Sequence, residues 1–153
     1  MIYNNILNSL EGQWTCQKTY YFLADKKINY DQKDIKLKQI YNHKLNISHQ
    51  EDNIICTYQV CSSKNQQKVY YLFCKKERSE FGELHKITND QIKYYRFTIY
   101  TYNCIKIESV KDNIIYYEYI YFINPKFKIT ISVLKEKQKY LATSFISEIK
   151  ISN

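Results

Sequence analysis

From Trp14 to Ile151, apolar and polar positions trade places at every second residue over most of the chain, the spacing that sends successive side chains to opposite faces of extended strands. The first residues differ. Ile2, Ile6, Leu7 and Leu10 recur at helical spacing, which predicts one short amphipathic helix over 2–11, with Gly12 placed to end it in a left-handed cap. The alternation then predicts strands at Trp14–Leu23, Ile35–Tyr41, Lys44–Ser48, Ile54–Cys61, Gln67–Cys74, Gly82–Ile87, Ile92–Tyr100, Asn103–Val110, Ile114–Ile123, Lys126–Leu134 and Tyr140–Ile151. Polar breaks such as Gln50 to Asn53, Ser62 to Asn65 and Lys111 to Asn113 separate them. With two Gly and one Pro in the chain, Asn and Asp are expected to serve most turns, because they tolerate left-handed backbone.

Short strands joined in sequence by short polar turns describe an up-and-down meander. Closing it into an antiparallel barrel of about 8–10 strands removes the exposed edges and leaves an interior that holds one small ligand. The fold class is therefore all-β, and 153 residues make one domain, 1–153. There is no repeat that would build a solenoid and no Gly-rich loop that would cradle phosphate.

Composition narrows the class of function. The chain is 44% apolar and 16% aromatic, too hydrophobic for disorder, and no apolar run approaches the ~18 residues of a membrane helix. Lys, Asn, Ile, Tyr and Phe supply over half of all residues, the signature of an A/T-rich genome. The net charge of +8 invites a polyanion, yet only Arg78 and Arg96 among the 23 basic residues offer the forked contact that base readout prefers, and the lysines are scattered. A basic RNA-binding barrel is thus the least favoured reading; nucleic acid and membrane are not expected partners. Cys16, Cys56, Cys61, Cys74 and Cys104 are odd in number and form no CxxC pair, so they read as apolar fillers of strands in a reducing compartment. Residues 1–11 have neither a secretory nor a transit character.

Within Ile114–Ile123 both faces are apolar or aromatic and Glu118 is the only charge. An unpaired carboxylate buried there costs several kcal/mol or shifts its pKa upward, so Glu118 is either a functional pocket carboxylate or a rim residue paired with a neighbouring lysine. On the following strand Lys126, Lys128, Thr130 and Ser132 share one face, which meets solvent or else lines a cavity where Lys128 and Ser132 donate to an anion beside Glu118. The last strand poses the same choice, with Ser144, Ile146, Glu148 and Lys150 on one face. His43, His49 and His85 form no HExxH and read as surface or turn residues; no GxSxG elbow is present, and no metal ligand set is expected.

Gly12-Gln13-Trp14-Thr15-Cys16-Gln17-Lys18-Thr19 resembles the G-x-W-x-x-Q-R-T opening of the S-type phycobiliprotein lyases, the CpcS/CpeS family of chromophore lyases. Ala142 to Lys150 is similar to that family's closing A-S-F-x-S-E-I-R strand, with one extra residue near its start. Glu118 to Lys128 resembles its E-R-x-W-F-x-N-P-N-L-R segment, and Gly82-Glu83-Leu84 its G-x-L turn. The resemblance implies a lipocalin-like barrel that binds an open-chain tetrapyrrole, phycocyanobilin or phycoerythrobilin, as substrate rather than permanent cofactor. It also implies delivery of that pigment to a cysteine of a phycobiliprotein subunit as a thioether; the A/T-rich composition and the lack of a targeting segment make the plastid stroma the expected compartment, or the cytoplasm if the source is a bacterium.

By the same resemblance Glu118 is the pocket carboxylate that holds or protonates the tetrapyrrole. Lys18 and Lys128 stand where the family has Arg and become candidates for the two propionates, while Ser132 adds a hydroxyl and Tyr121 stands in place of a family Trp. Trp14, Glu148 and Lys150 complete the candidate ligand-binding set. Lys lacks the planar fork of Arg, and Tyr119 replaces a further family Arg. Partners implied are the pigment, the acceptor subunit and either a homodimer or a second lyase subunit. The competing reading is a non-catalytic lipocalin-like carrier of a hydrophobic or anionic ligand.

Overall fold

An open meander leaves a row of backbone N–H and C=O groups unpaired on each of its two edge strands, and this chain removes both edges by joining its ends. The computed structural model describes residues 2–41, 53–76 and 81–152, with side chains described from Asn5. Ten strands follow one helix: α1 (Ile2–Asn8), β1 (Gly12–Phe22), β2 (Lys27–Gln39), β3 (Ile54–Ser62), β4 (Asn65–Lys75), β5 (Gly82–Ile87), β6 (Ile92–Thr101), β7 (Cys104–Lys111), β8 (Ile114–Asn124), β9 (Phe127–Glu136) and β10 (Lys139–Ser152). Each pairs antiparallel with the next, and β10 returns to β1 to close the barrel. The expected meander and closure are both present. No helix among the described residues is long and apolar enough to cross a membrane. The expected strand Lys44–Ser48, His43, His49, Arg78 and the side chain of Ile2 lie outside what is described.

Several local expectations are corrected. The helix ends at Asn8, and its last turn is closed by Leu10 N donating to the Leu7 carbonyl and Glu11 N to that of Asn8. Gly12 is no helix cap. It opens β1 at a φ of 140°, packed so closely on the Lys150 stem that a Cβ there would lie 2.9 Å from Lys150 Cε. β2 begins at Lys27 rather than Ile35, because its first half pairs residue for residue with β1 from Phe22↔Lys27 to Thr15↔Asp34. The positive-φ residues of the turns are Lys26, Asp112, Lys137 and Gln138, so lysine and glutamine share the work expected of Asn and Asp. Tight two-residue hairpins demand φ above zero whatever the side chain. Cys61 is exposed, unlike the other four cysteines, and His85 is a buried strand residue whose ring packs edge-on against Tyr94 at 4.8 Å.

One end of the barrel is filled with apolar side chains. Ile6, Leu7 and Leu10 bring α1 across that end against Trp14, Leu37, Tyr58, Val60, Phe73 and Phe97. Two buried donors fasten the plug: Tyr58 Oη donates to the Leu7 carbonyl at 2.5 Å and Trp14 Nε1 to the Leu10 carbonyl at 3.0 Å. Gly82, first residue of β5 rather than part of a turn, makes room for the fully buried Phe97 ring. A Cβ at Gly82 would lie 2.5 Å from the Cys74 carbonyl oxygen as well as against that ring. Gly82→Ala is therefore expected to destabilise the protein by about 2–3 kcal/mol in urea unfolding, the cost of overpacking a site whose neighbours include backbone. An unchanged midpoint would mean that the strand moves aside freely.

Candidate functional site

Above the plug the inward positions turn polar. A cavity of about 240 Å³ lies between Leu10, Leu37, Val60 and Phe73 at its floor and the charged positions nearer the open ends of the strands. Four lysines and three carboxylates line it: Lys18 of β1, Asp31 and Lys33 of β2, Lys86 of β5, Glu118 of β8, Lys128 of β9 and Glu148 of β10. The polar face of β9 thus looks inward, with Lys128, Thr130 and Ser132 all buried, while its apolar face looks out and leaves Ile131 exposed. β10 makes the same choice, burying Ser144 and Glu148 and exposing Phe145 and Ile149.

Glu118 is buried on the cavity wall. Its Oε2 accepts a hydrogen bond from Tyr116 Oη at 3.0 Å, and Lys86 Nζ stands 3.9 Å from Oε1. Lys86 reaches across from β5 between two tyrosine rings, 4.6 Å from the centroid of Tyr95 and 5.1 Å from that of Tyr71. Both contacts are within cation–π range, so the ammonium is held by ring faces as well as by the carboxylate. Burial, then the nearby Glu118 charge, push the Tyr116 phenol up, and it remains a hydrogen-bond donor. Directly across the ladder Ser132 pairs with Glu118, and its hydroxyl shares a short hydrogen bond with Ser144.

A second cluster sits deeper. Lys128 Nζ and Glu148 Oε2 are 3.3 Å apart with almost no exposure, and the ammonium lies 4.2 Å from the Trp14 ring centroid. The Cys16 thiol donates to the same Glu148 oxygen at 3.3 Å. Burial first, then the Glu148 charge, push that thiol up to about 12. At neutral pH this sulfur is held as the thiol, a poor nucleophile.

Lys18 and Lys33 make no ion pair among the described residues, and Asp31 beside them pairs with Lys64. Burial and the neighbouring Lys33 charge lower the Lys18 pKa. A site that crowds unpaired ammonium groups stabilises an incoming anion, because each carboxylate added relieves their repulsion. The arrangement holds a carboxylate among aromatic walls on one side and, on the other, Lys33 and a Lys18 that lies over the Tyr20 ring at 4.3 Å, neither in an ion pair among the described residues.

The structure brings Glu118, Lys18, Lys128, Ser132 and Glu148 of the expected set into one cavity. Trp14 lies beneath it as part of the plug, and Lys150 packs on that indole, 5.0 Å from its centroid, outside the cavity. Tyr121 stands three positions from Glu118 and so on the opposite face of β8, stacked on Tyr119 outside the barrel. Lys33, Asp31, Lys86, Tyr116 and Ser144 were not among the expected site residues. Alternation points to two of them: Lys86 follows buried Leu84 by two positions, and Lys33 precedes inward Ile35 by two.

A closed up-and-down barrel, plugged at one end by a short helix and carrying a charged, tyrosine-walled cavity towards the other, is a ligand-binding barrel of lipocalin-like form. Its relatives agree. The chain is 61% identical, over all 153 residues and the whole of the relative, to a protein of Gracilaria tenuistipitata var. liui named "Chromophore lyase CpcS/CpeS homolog", and it belongs to the CpcS/CpeS chromophore lyase family. No protein-family model matches the chain. Among solved structures it superposes on the S-type phycobiliprotein lyase CPES from Guillardia theta with a TM-score of 0.75 at 15% identity, covering 100% of this chain and 94% of that one. A protein with unknown function of the DUF3598 family from Nostoc punctiforme PCC 73102 shares the fold at a TM-score of 0.61 and 12% identity, over 95% of this chain and 48% of the other.

Proposed function

We infer that this chain is a bilin lyase: it takes up an open-chain tetrapyrrole, phycocyanobilin or phycoerythrobilin, and promotes its thioether attachment to a cysteine of a phycobiliprotein subunit. The observation that carries the reading is Glu118, a buried carboxylate facing the cavity with Tyr116 donating to it, in a chain of this family. Pyrrole nitrogens present N–H donors and take up a proton, so one carboxylate among aromatic walls is the complement of the pigment's centre. Lys18 and Lys33, which make no ion pair among the described residues, are assigned to the two propionates. Lys128 is already matched by Glu148 and is assigned to holding the floor of the cavity. The hydroxyls of Ser132 and Ser144 complete the polar wall.

Attachment adds the acceptor's S–H across a carbon–carbon double bond of the pigment: the S–H bond and the double bond's π bond break, the sulfur bonds one carbon, and the proton ends on the pigment. Glu118 is the group of this chain placed to exchange that proton with the tetrapyrrole. The thiol comes from the acceptor, and the plastid stroma, suggested by the Gracilaria relative, is the assigned compartment. Replacing all five cysteines by Ser or Ala is expected to leave transfer within about twofold of the parent if the variant folds, since Cys16 is held as an uncharged donor to Glu148. Loss of transfer with pigment binding intact would require a covalent relay through this chain instead. The reading itself is tested by mixing purified chain, free phycobilin and apo-subunit: a lyase leaves zinc-fluorescent pigment on the acceptor in a denaturing gel, whereas a carrier binds pigment and leaves the acceptor bare.

A further inference from the structure

Neither the propionates nor the floor of the cavity accounts for Lys86. Its side chain leaves β5 two positions after buried Leu84, and its ammonium stands 3.9 Å from Glu118 Oε1. That is ion-pair distance but too long for a hydrogen bond. Two ring faces hold the ammonium there, Tyr95 of β6 at 4.6 Å and Tyr71 of β4 at 5.1 Å from their centroids. The two oxygens of Glu118 therefore differ. Oε2 accepts from Tyr116 Oη, whereas Oε1 faces a positive charge and accepts no hydrogen bond among the described residues. A buried carboxylate with a charge close by and one oxygen open is prepared for a donor from outside, such as a pyrrole N–H. Burial works against the Lys86 charge, and Tyr71, Glu118 and Tyr95 more than offset it, so the ammonium titrates above the usual lysine range. It stays charged at any pH near neutral.

The other charged groups that face the cavity, among the described residues, are placed differently. Lys128 of β9 is matched by Glu148 of β10, and Asp31 of β2 by Lys64. Lys18 of β1 lies over the Tyr20 ring, and Lys33 of β2 makes no ion pair among the described residues. On β8 the Tyr116 phenol is pushed up and stays protonated, while β3 and β7 turn the apolar Val60 and Ile107 to the cavity. We propose that Lys86 is the positioning residue of Glu118: an ammonium set beside the carboxylate without covering Oε1 keeps the pair of Glu118 and pigment short of a proton, so that Glu118 meets the tetrapyrrole as an anion. This deepens the lyase reading of the same cavity and rests on it. The sign of the effect follows from charge alone. Whether the proton of the pair sits on Glu118 or on a pigment nitrogen, removing a nearby positive charge makes that proton easier to gain.

Titrating the absorption of phycocyanobilin bound to the full chain against pH tests the proposal, with the midpoint of the pigment's protonation change as the readout. Lys86→Met should raise that midpoint by about one to three pH units, the range for losing an opposite charge at ~4–6 Å, with pigment affinity within about fivefold of the parent. Lys86→Arg keeps the charge and should restore the parental midpoint. Lys126→Met, which removes a lysine charge from the exposed turn between β8 and β9, should leave it unmoved. Transfer by Lys86→Met should also recover as pH rises and Glu118 regains its charge, whereas transfer by Glu118→Gln should stay low at every pH. Where Lys86→Met does not fold, Lys86→Gln, which removes the charge and keeps a donor, makes the same prediction. A midpoint that falls, or one that stays while affinity is lost, as for a propionate ligand, would overturn the proposal. So would failure of both neutral variants to fold, since Lys86 would then be a brace of the barrel. An unmoved midpoint in a chain that labels the acceptor overturns this proposal alone; a bare acceptor with a raised midpoint overturns the lyase reading alone.

Discussion

Glu118→Gln is expected to fold as the parent does and to lose roughly ten- to a hundredfold in bilin transfer. The amide keeps the shape of the side chain, and its oxygen can still accept from Tyr116. It cannot carry negative charge to the tetrapyrrole nitrogens or exchange a proton with them. One charge-assisted hydrogen bond of this kind amounts to about 1.5–3 kcal/mol, which sets the size of the loss. The absorption of bound pigment should shift as well, because protonation of the conjugated system changes its colour. Initial rates of acceptor labelling, alongside the spectrum of the binary complex, check both. A Gln variant that transfers at the parental rate with an unshifted spectrum would leave Glu118 as a wall residue paired with Lys86, and attention would pass to Glu148. Glu108 is no substitute, since it faces outward between Arg96 and Lys106.

Breaking the deep ion pair should show its effect in stability. Glu148→Leu is expected to destabilise the fold by about 3–5 kcal/mol, because it strands a buried Lys128 ammonium that only the Trp14 ring face then offsets. Lys128→Met with Glu148→Leu should regain most of that loss, since two apolar side chains of similar volume replace a pair whose desolvation cost was large. Urea titrations of parent, single and double variants form the cycle that measures it. If the single change costs under about 1 kcal/mol, water reaches Lys128 and the floor of the cavity is wetter than its burial indicates.

The meander was legible because its hairpins join neighbouring strands through short polar breaks, and most strands alternate between apolar and polar positions. What alternation cannot say is which face looks inward. On β9 the apolar set Phe127, Ile129, Ile131 and Val133 has the composition of a core, yet the polar set Lys128, Thr130 and Ser132 takes the interior because a ligand cavity, and not a packed centre, lies there. The first half of β2 stayed hidden for a related reason. Its inward residues Asp31 and Lys33 are polar, and the two apolar residues of Lys27 to Asp34, Ile28 and Tyr30, lie on the exposed outward face, so no buried apolar face marks this stretch and its pairing with β1 defines it as a strand.

The site was legible in part through the same rule. Glu118 stood out as a lone charge in an aromatic strand, and Ser132 followed from the neighbouring strand. Lys86 did not, because its partner Glu118 lies three strands away in the sheet, beyond any sequence spacing. Tyr121 was placed by resemblance alone, and strand parity puts it outside. Lys128 was expected to be free for an anion; its match with Glu148 depends on β9 and β10 lying in the register Lys128↔Glu148.

Passage of a bilin through this chain to an acceptor cysteine, with no covalent bond to the chain, is read by intact-mass spectrometry of the completed reaction, with chain, free phycobilin and apo-phycobiliprotein subunit mixed under reducing conditions and then denatured. The acceptor is expected to gain the mass of one bilin per modified cysteine, at a rate that depends on this chain, while the chain itself stays at its unmodified mass. A bilin adduct on the chain, or an acceptor labelled equally well without it, would rule out non-covalent transfer by this chain.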